Sequence, residues 1–142
     1  MPCPIAQSLE LVGDWWTLLI VRDAFFFEAT RFEEFRRRLG IPTNVLTNRL
    51  QSLVDHGILE RHAAAQGRSP HAYRLTTKGE ALWPVLAALV EWGNEWALDD
   101  ETDPIVLVHR TCGTPISGSR CLTCNEMPPR EQIDVEGLSE YA

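Results

Sequence analysis

His109, Cys112, Cys121 and Cys124 form an H-x2-C…C-x2-C pattern in the last third of the 142-residue chain. Two such knuckles suit tetrahedral Zn2+, because each presents two ligand atoms and a short loop folds one against the other. The spacer between Cys112 and Cys121 is short, at eight residues, but holds Pro115, Ser117 and Gly118, while Gly113 eases the turn after the second ligand. Four protein ligands close such a site, so the zinc it predicts is structural rather than catalytic. Three of the four cysteines lie here, and a free dithiol at Cys121/Cys124 or a flexible tail are the competing readings.

A second set of residues suits nucleic acid. At about 100° per residue, a helix over Thr43–His56 puts Leu46, Leu50, Leu53 and Val54 on one face and Asn44, Asn48, Gln51 and Asp55 roughly opposite, with Thr47 at the border. Asparagine and glutamine pair with the adenine edge in a major groove, and a threonine methyl meets a thymine methyl. Thr43, Asn44, Thr47, Asn48 and Gln51 are therefore the candidate base-reading residues. Arg36, Arg37, Arg38 and Arg49 are candidates for phosphate, and Arg68, in QGRSP, for phosphate or a minor groove. The competing reading is a solvated face whose arginines pair with Glu33, Glu34 and Asp55. Cys3 precedes a short helix, where a thiol can ionise more readily and serve as a redox sensor; otherwise it is a small packed residue.

The elements that must position these residues follow from local signals. Residues 4–12 suit a short helix carrying Ile5, Leu9 and Val12 on one face. Asp14 is placed to cap a helix over Trp15–Phe27, which is apolar nearly all round and so buried. Thr30 and Glu33 have capping-box spacing for a helix over Arg31–Leu39, in which Phe32, Phe35 and Leu39 face inward and the three arginines mostly outward. Gly40-Ile41-Pro42 links it to the Thr43–His56 helix, which stops at Gly57. Ile58–Arg61 and Ala72–Leu75 then alternate as a hairpin around a Gly- and Pro-containing tip. Helix, tight turn, helix and hairpin is the order of a winged helix-turn-helix.

Thr77 and Glu80 again have capping-box spacing, for a long helix to about Leu98 that Pro84 must kink or delay. In it Leu82, Val85, Leu89, Trp92 and Trp96 step by three and four as a coiled-coil-like seam, a candidate dimer contact. Ile105–His109 alternates as a strand. The predicted organisation is thus a DNA-binding and dimerisation domain over 1–98, a charged linker over 99–104, a zinc-ribbon-like unit over 105–127 and a flexible acidic tail over 128–142.

Composition bounds the function. With 44% hydrophobic residues the chain can bury a core, and no apolar run approaches the ~20 residues of a membrane span. There is no basic segment before an apolar stretch at the start, so a cytoplasmic location with reduced or metal-bound thiols is expected. The net charge of −7 conceals a basic segment: residues 31–78 carry +5, against −3 before and −9 after. Local positive charge is what phosphate responds to.

Three blocks, CPIAQSLELVGDWWTLLIVRDAFF, RFEEFRRRLGIPTNVLTNRLQSLVDHGILER and YRLTTKGEAL, closely resemble the HxlR-type winged-helix transcription regulators, relatives of the MarR group. The resemblance runs from Cys3 through Trp96, about two-thirds of the chain. It implies a homodimer on a pseudo-palindromic double-stranded operator, with N- and C-terminal helices at the dimer contact. It also implies a one-component regulator, a repressor before an activator, answering a small-molecule effector, a thiol oxidant or an electrophile. Cys3 matches the family's N-terminal Cys-Pro, and the segment after Asp103 lies outside the resemblance. Two other classes compete: a winged helix used for protein contact, and a small thiol oxidoreductase using Cys121/Cys124. The second lacks a C-x2-C at the start of a helix in a βαβ pattern.

Overall fold

The computed structural model describes residues 1–64 and 71–137. The chain divides into two compact units, Met1–Ala81 and Leu82–Ala142. It is mainly helical, with two small antiparallel sheets.

The first unit opens with α1 (Pro4–Val12), whose Ile5 and Leu9 are exposed while Val12 is buried. Asp14 caps α2 (Trp15–Phe26), accepting from the Trp16 N–H at 3.0 Å. α3 (Phe32–Leu39) ends at Gly40, whose φ of +62° lets the chain turn sharply into α4 (Thr43–Asp55). β1 (Leu59–Ala63) pairs with β2 (His71–Leu75), and Arg31 adds a bridge to Ala72 on the other edge of β2. Ile20, Phe35, Leu46, Leu50 and Leu53 are buried between these elements, so α4 turns its leucines inward as its periodicity predicts.

Both predicted capping boxes are replaced by neighbouring contacts. Ahead of α3 the Glu34 carboxylate, not Glu33, accepts from the Thr30 N–H at 3.1 Å, and Arg31 takes the cap position without a side-chain cap. Before α5 (Thr77–Glu80) the cap is Thr76, whose hydroxyl accepts from the Gly79 N–H. That hydroxyl also donates to the Gly57 carbonyl at 2.5 Å, and Lys78 donates to the His56 carbonyl at 2.7 Å. A Cβ on Gly79 would stand 2.2 Å from the Ile58 carbonyl oxygen. The T-x-K-G run therefore has a physical job: it holds the end of α4 and the start of the wing through three contacts.

The second unit begins with α6 (Trp83–Trp96). Pro84 falls in its first turn, so the proline delays the helix rather than kinking it. β3 (Val106–His109), β4 (Thr114–Ser117), β5 (Arg120–Cys121) and β6 (Ile133–Glu136) form a sheet in the order β5-β4-β3-β6. Of the segment expected to be a flexible tail, residues 138–142 lie outside the described residues, while 130–136 form regular structure. A 3-10 turn over Arg130–Gln132 leads into β6, which pairs antiparallel with β3 over four residues and buries Ile133. Strand pairing and one buried isoleucine order an acidic stretch that otherwise lacks core residues.

Candidate nucleic-acid interface and metal centre

On α4, Thr43, Asn44, Thr47, Asn48 and Gln51 are all exposed, opposite the buried Leu46, Leu50 and Leu53. The exposed Thr47 donates its hydroxyl back to the Thr43 carbonyl at 2.9 Å. Gln51 donates to Asp55 at 2.7 Å and accepts from Arg61 of β1 at 2.5 Å, so it links the helix to the wing. Arg61 was not among the sequence candidates; its signal was a basic residue at an outward position of a strand beside the helix.

The arginines divide. Arg36 and Arg37 are exposed, and Arg36 pairs with Glu33 at 2.9 Å. Arg38 turns inward, against expectation. Its guanidinium lies 3.3 Å over the Phe27 ring centroid and its Nε is 3.8 Å from Asp23, whose side chain is fully buried. A buried carboxylate requires nearby positive charge, and Arg22, at 2.7 Å, and Arg38 supply it. Burial raises the Asp23 pKa, while both arginines oppose the rise. Arg49 forks onto Asp14 at 2.7 and 3.1 Å, tying α4 to the cap of α2. Arg68 lies outside the described residues.

In the second unit the ligand atoms of His109, Cys112, Cys121 and Cys124 all lie within 4.8 Å of one another. The two knuckles repeat one geometry. Gly113 donates its N–H to the His109 carbonyl at 2.7 Å, and Asn125 donates to the Cys121 carbonyl at 2.9 Å. Both have positive φ, +67° and +59°, at the residue after the second ligand. Glycine takes that conformation freely and asparagine tolerates it.

His109 is oriented for a metal. Its Nδ1 faces Cys124 Sγ at 3.6 Å, while its Nε2 meets Gln132 Oε1 at 3.2 Å. The amide oxygen accepts a hydrogen bond from Nε2–H, which leaves the Nδ1 lone pair toward the thiols. Gln132, 23 residues away in the supposed tail, carried no local signal. Thr114, at 3.3 Å, and backbone N–H groups hold the Cys121 thiol down to about 5. Burial, then the neighbouring thiols, push Cys112 up to about 11. The His109 pKa is raised, chiefly by its hydrogen bond to Cys121. Bonds of about 2.3 Å to sulfur and 2.0–2.1 Å to nitrogen would set tetrahedral ligand atoms roughly 3.5–3.8 Å apart; His109 Nδ1 and Cys124 Sγ, at 3.6 Å, already have that spacing, and no pair lies beyond 4.8 Å. Three thiols and an imidazole fit a metal ion of the zinc type.

Cys3 is half-buried and occupies the cap position of α1 ahead of Pro4, without a side-chain cap bond. Of the five seam residues Val85, Leu89, Trp92 and Trp96 are exposed and Leu82 is half-buried, while Trp83, Leu86 and Ala87 on the other face of α6 are buried.

Residues 11–101 match the family described as HxlR-like helix-turn-helix. The chain belongs to that family. An uncharacterized HTH-type transcriptional regulator of Mycobacterium bovis is 43% identical over 109 residues, covering 77% of this chain and 68% of its own length. The solved structure of PA1607, described as a candidate transcription factor, is 40% identical with a TM-score of 0.75, over 89% of this chain and 88% of that one. The reduced form of the transcriptional regulator YodB from Bacillus subtilis is 27% identical with a TM-score of 0.57, over 72% of this chain and all of its own. As an HxlR-like chain this is a helix-turn-helix transcriptional regulator, in a family of regulators and not of enzymes. The family match spans residues 11–101, so the His109, Cys112, Cys121 and Cys124 cluster lies outside it. Among the described residues no helix is long and apolar enough to cross a membrane.

Proposed function

We propose that the chain is a homodimeric, cytoplasmic repressor that binds a pseudo-palindromic operator through α4 and releases it in response to a small molecule or thiol oxidant. The observation that carries the reading is the division of α4: a leucine face buried in its own unit, and an exposed face of Thr43, Asn44, Thr47, Asn48 and Gln51. Those side chains would read base edges, with Arg36 and Arg37 setting register on phosphate. Arg68 retains its proposed phosphate role, and Arg49 would act through Asp14 by holding α4 in place. The exposed Val85, Leu89, Trp92 and Trp96, with the half-buried Leu82, support α6 as a dimer contact, since apolar groups of this size are seldom left in water together.

His109, Cys112, Cys121 and Cys124 would hold a structural Zn2+. Such an ion, with four protein ligands and no open position, contributes folding energy to a small sheet. Support for a thiol response comes from YodB, solved in reduced and quinone-bound forms, and from Cys3 at the start of α1.

Selection of bound fragments from a genomic library by the purified protein tests the reading. Enrichment of a sequence with two half-sites one helical turn apart supports it. Binding to all fragments alike, with a weak salt dependence, would instead favour a winged helix used for protein contact.

A further inference from the structure

We propose that the C-terminal cluster is an oxidant-modified site as well as a metal site: a hydroperoxide oxidises Cys124, Cys121 closes on it as a disulfide, and the change reaches α6 through Glu91. The inference rests on the thiol-responsive reading above and names where the response originates.

Three observations carry it. First, Cys124 is the exposed cysteine of the four, while Cys121 is buried and Cys3 and Cys112 are intermediate. An oxidant meets Cys124 first, with the His109 imidazole 3.6 Å from its sulfur. Second, Cys121 waits within 4.8 Å in the same turn, three residues back, so closure needs a local movement to the ~2.05 Å of an S–S bond. Third, the segment that carries the ligands is tied to α6 at two points. Asn94 brackets Ile105, donating to its carbonyl at 2.6 Å and accepting its N–H at 3.2 Å. Glu91 accepts from the Ser117 hydroxyl at 2.9 Å and from the Gly118 N–H, both in the hairpin between the two knuckles. Between α6 and the strands is a groove of about 760 Å3, bordered by Trp92, Trp96, Ile105, Leu107 and Ile116. The helix is thus fastened to that hairpin by hydrogen bonds more than by close packing.

The chemistry balances. The Cys124 thiolate attacks a peroxide oxygen, the O–O bond breaks, hydroxide leaves and Cys124 becomes a sulfenic acid. The Cys121 thiolate attacks that sulfur, forming the S–S bond and expelling a second hydroxide; two protons from water or the protein neutralise these. Two electrons pass from the thiolates to the peroxide. The cluster keeps only His109 and Cys112 and no longer holds a tetrahedral ion. The hairpin between the knuckles then loses its anchor and Glu91 its partners, on the helix that presents Trp92 and Trp96.

The test treats the zinc-loaded full chain with hydrogen peroxide and reads three quantities: zinc released to a chromogenic chelator, disulfides by peptide mass mapping, and affinity for the selected operator. The expected result is about one zinc per chain, a Cys121–Cys124 disulfide and at least a tenfold loss of affinity, all kept by Cys3→Ser. Glu91→Gln leaves the cluster intact; it is expected to release zinc and form the disulfide with less than half the loss of affinity. Full response in E91Q would overturn the route through Glu91. A response abolished by Cys3→Ser, with zinc retained in the wild type, would overturn the proposal but keep the thiol-responsive reading. No change in affinity, thiols or zinc would overturn both.

Discussion

Arg49 and Asp14, 35 residues apart in sequence, join two helices at one carboxylate. Asp14 Oδ1 takes the Trp16 N–H at the start of α2 and the Arg49 Nε at 2.7 Å, and Oδ2 takes the second arm of the guanidinium. The helix proposed to read DNA is therefore registered against the cap of its neighbour. Asp14→Ala removes the cap and the fork together and is expected to cost about 1–2 kcal/mol, mostly from the cap because the pair is exposed to screening. Urea unfolding of D14A against wild type checks this. The Asp14 pKa is lowered, first by the hydrogen bond from Arg49. A carboxyl lowered in the folded state stabilises above its ordinary 3.8 and loses that contribution as pH falls through the folded value. The wild-type advantage over D14A should hold at neutral pH and shrink below about pH 4.

Asp23 is a stronger test of the same half. Its buried carboxylate has Arg22 at 2.7 Å and Arg38 at 3.8 Å. Asp23→Ala leaves the mostly buried Arg38 without its counter-charge. The expected loss is about 3–5 kcal/mol, seen as a lower urea midpoint with little change in slope.

Gln132 should matter to metal and not to DNA. It accepts a hydrogen bond from the Nε2–H of His109, and Gln132→Ala frees the ring to rotate or change tautomer. Such outer partners are worth about 10–100-fold in metal affinity. Competition with a chelator of known affinity measures the loss, and operator affinity at saturating zinc should stay within about twofold.

Trp92 and Trp96 are 61% and 72% exposed on α6, an expensive arrangement for a monomer. Trp92→Glu is expected to shift the solution mass from dimer toward monomer. Light scattering over a dilution series reads the change, and an unaltered dimer would move the contact elsewhere.

How far the sequence carried this account depends on how local each signal was. α4 was legible almost to the residue, because its leucine period, Pro42 before it and Gly57 after it are all neighbours in sequence. The clustering of His109, Cys112, Cys121 and Cys124 was legible for the same reason, two residues at each knuckle. β6 was not, since its partner β3 lies more than 20 residues back and Ile133 is its one fully buried residue. The inward turn of Arg38 was hidden because its cause, the burial of Asp23, is a tertiary fact. Glu91 and Asn94 read as ordinary polar residues of an apolar helix until the hairpin and Ile105 were seen against them.

The central claim is that α4 reads sequence while nearby arginines hold phosphate. It is tested most directly by fluorescence anisotropy on the selected operator and on a scrambled duplex, for wild type, Asn48→Ala and Arg37→Ala, between roughly 50 and 200 mM salt. N48A is expected to lose about 1–3 kcal/mol on the operator and little on the scrambled duplex. R37A is expected to weaken binding to both alike and to lower the salt slope by about one. Equal losses on both duplexes for N48A, or no loss for either variant, would contradict it.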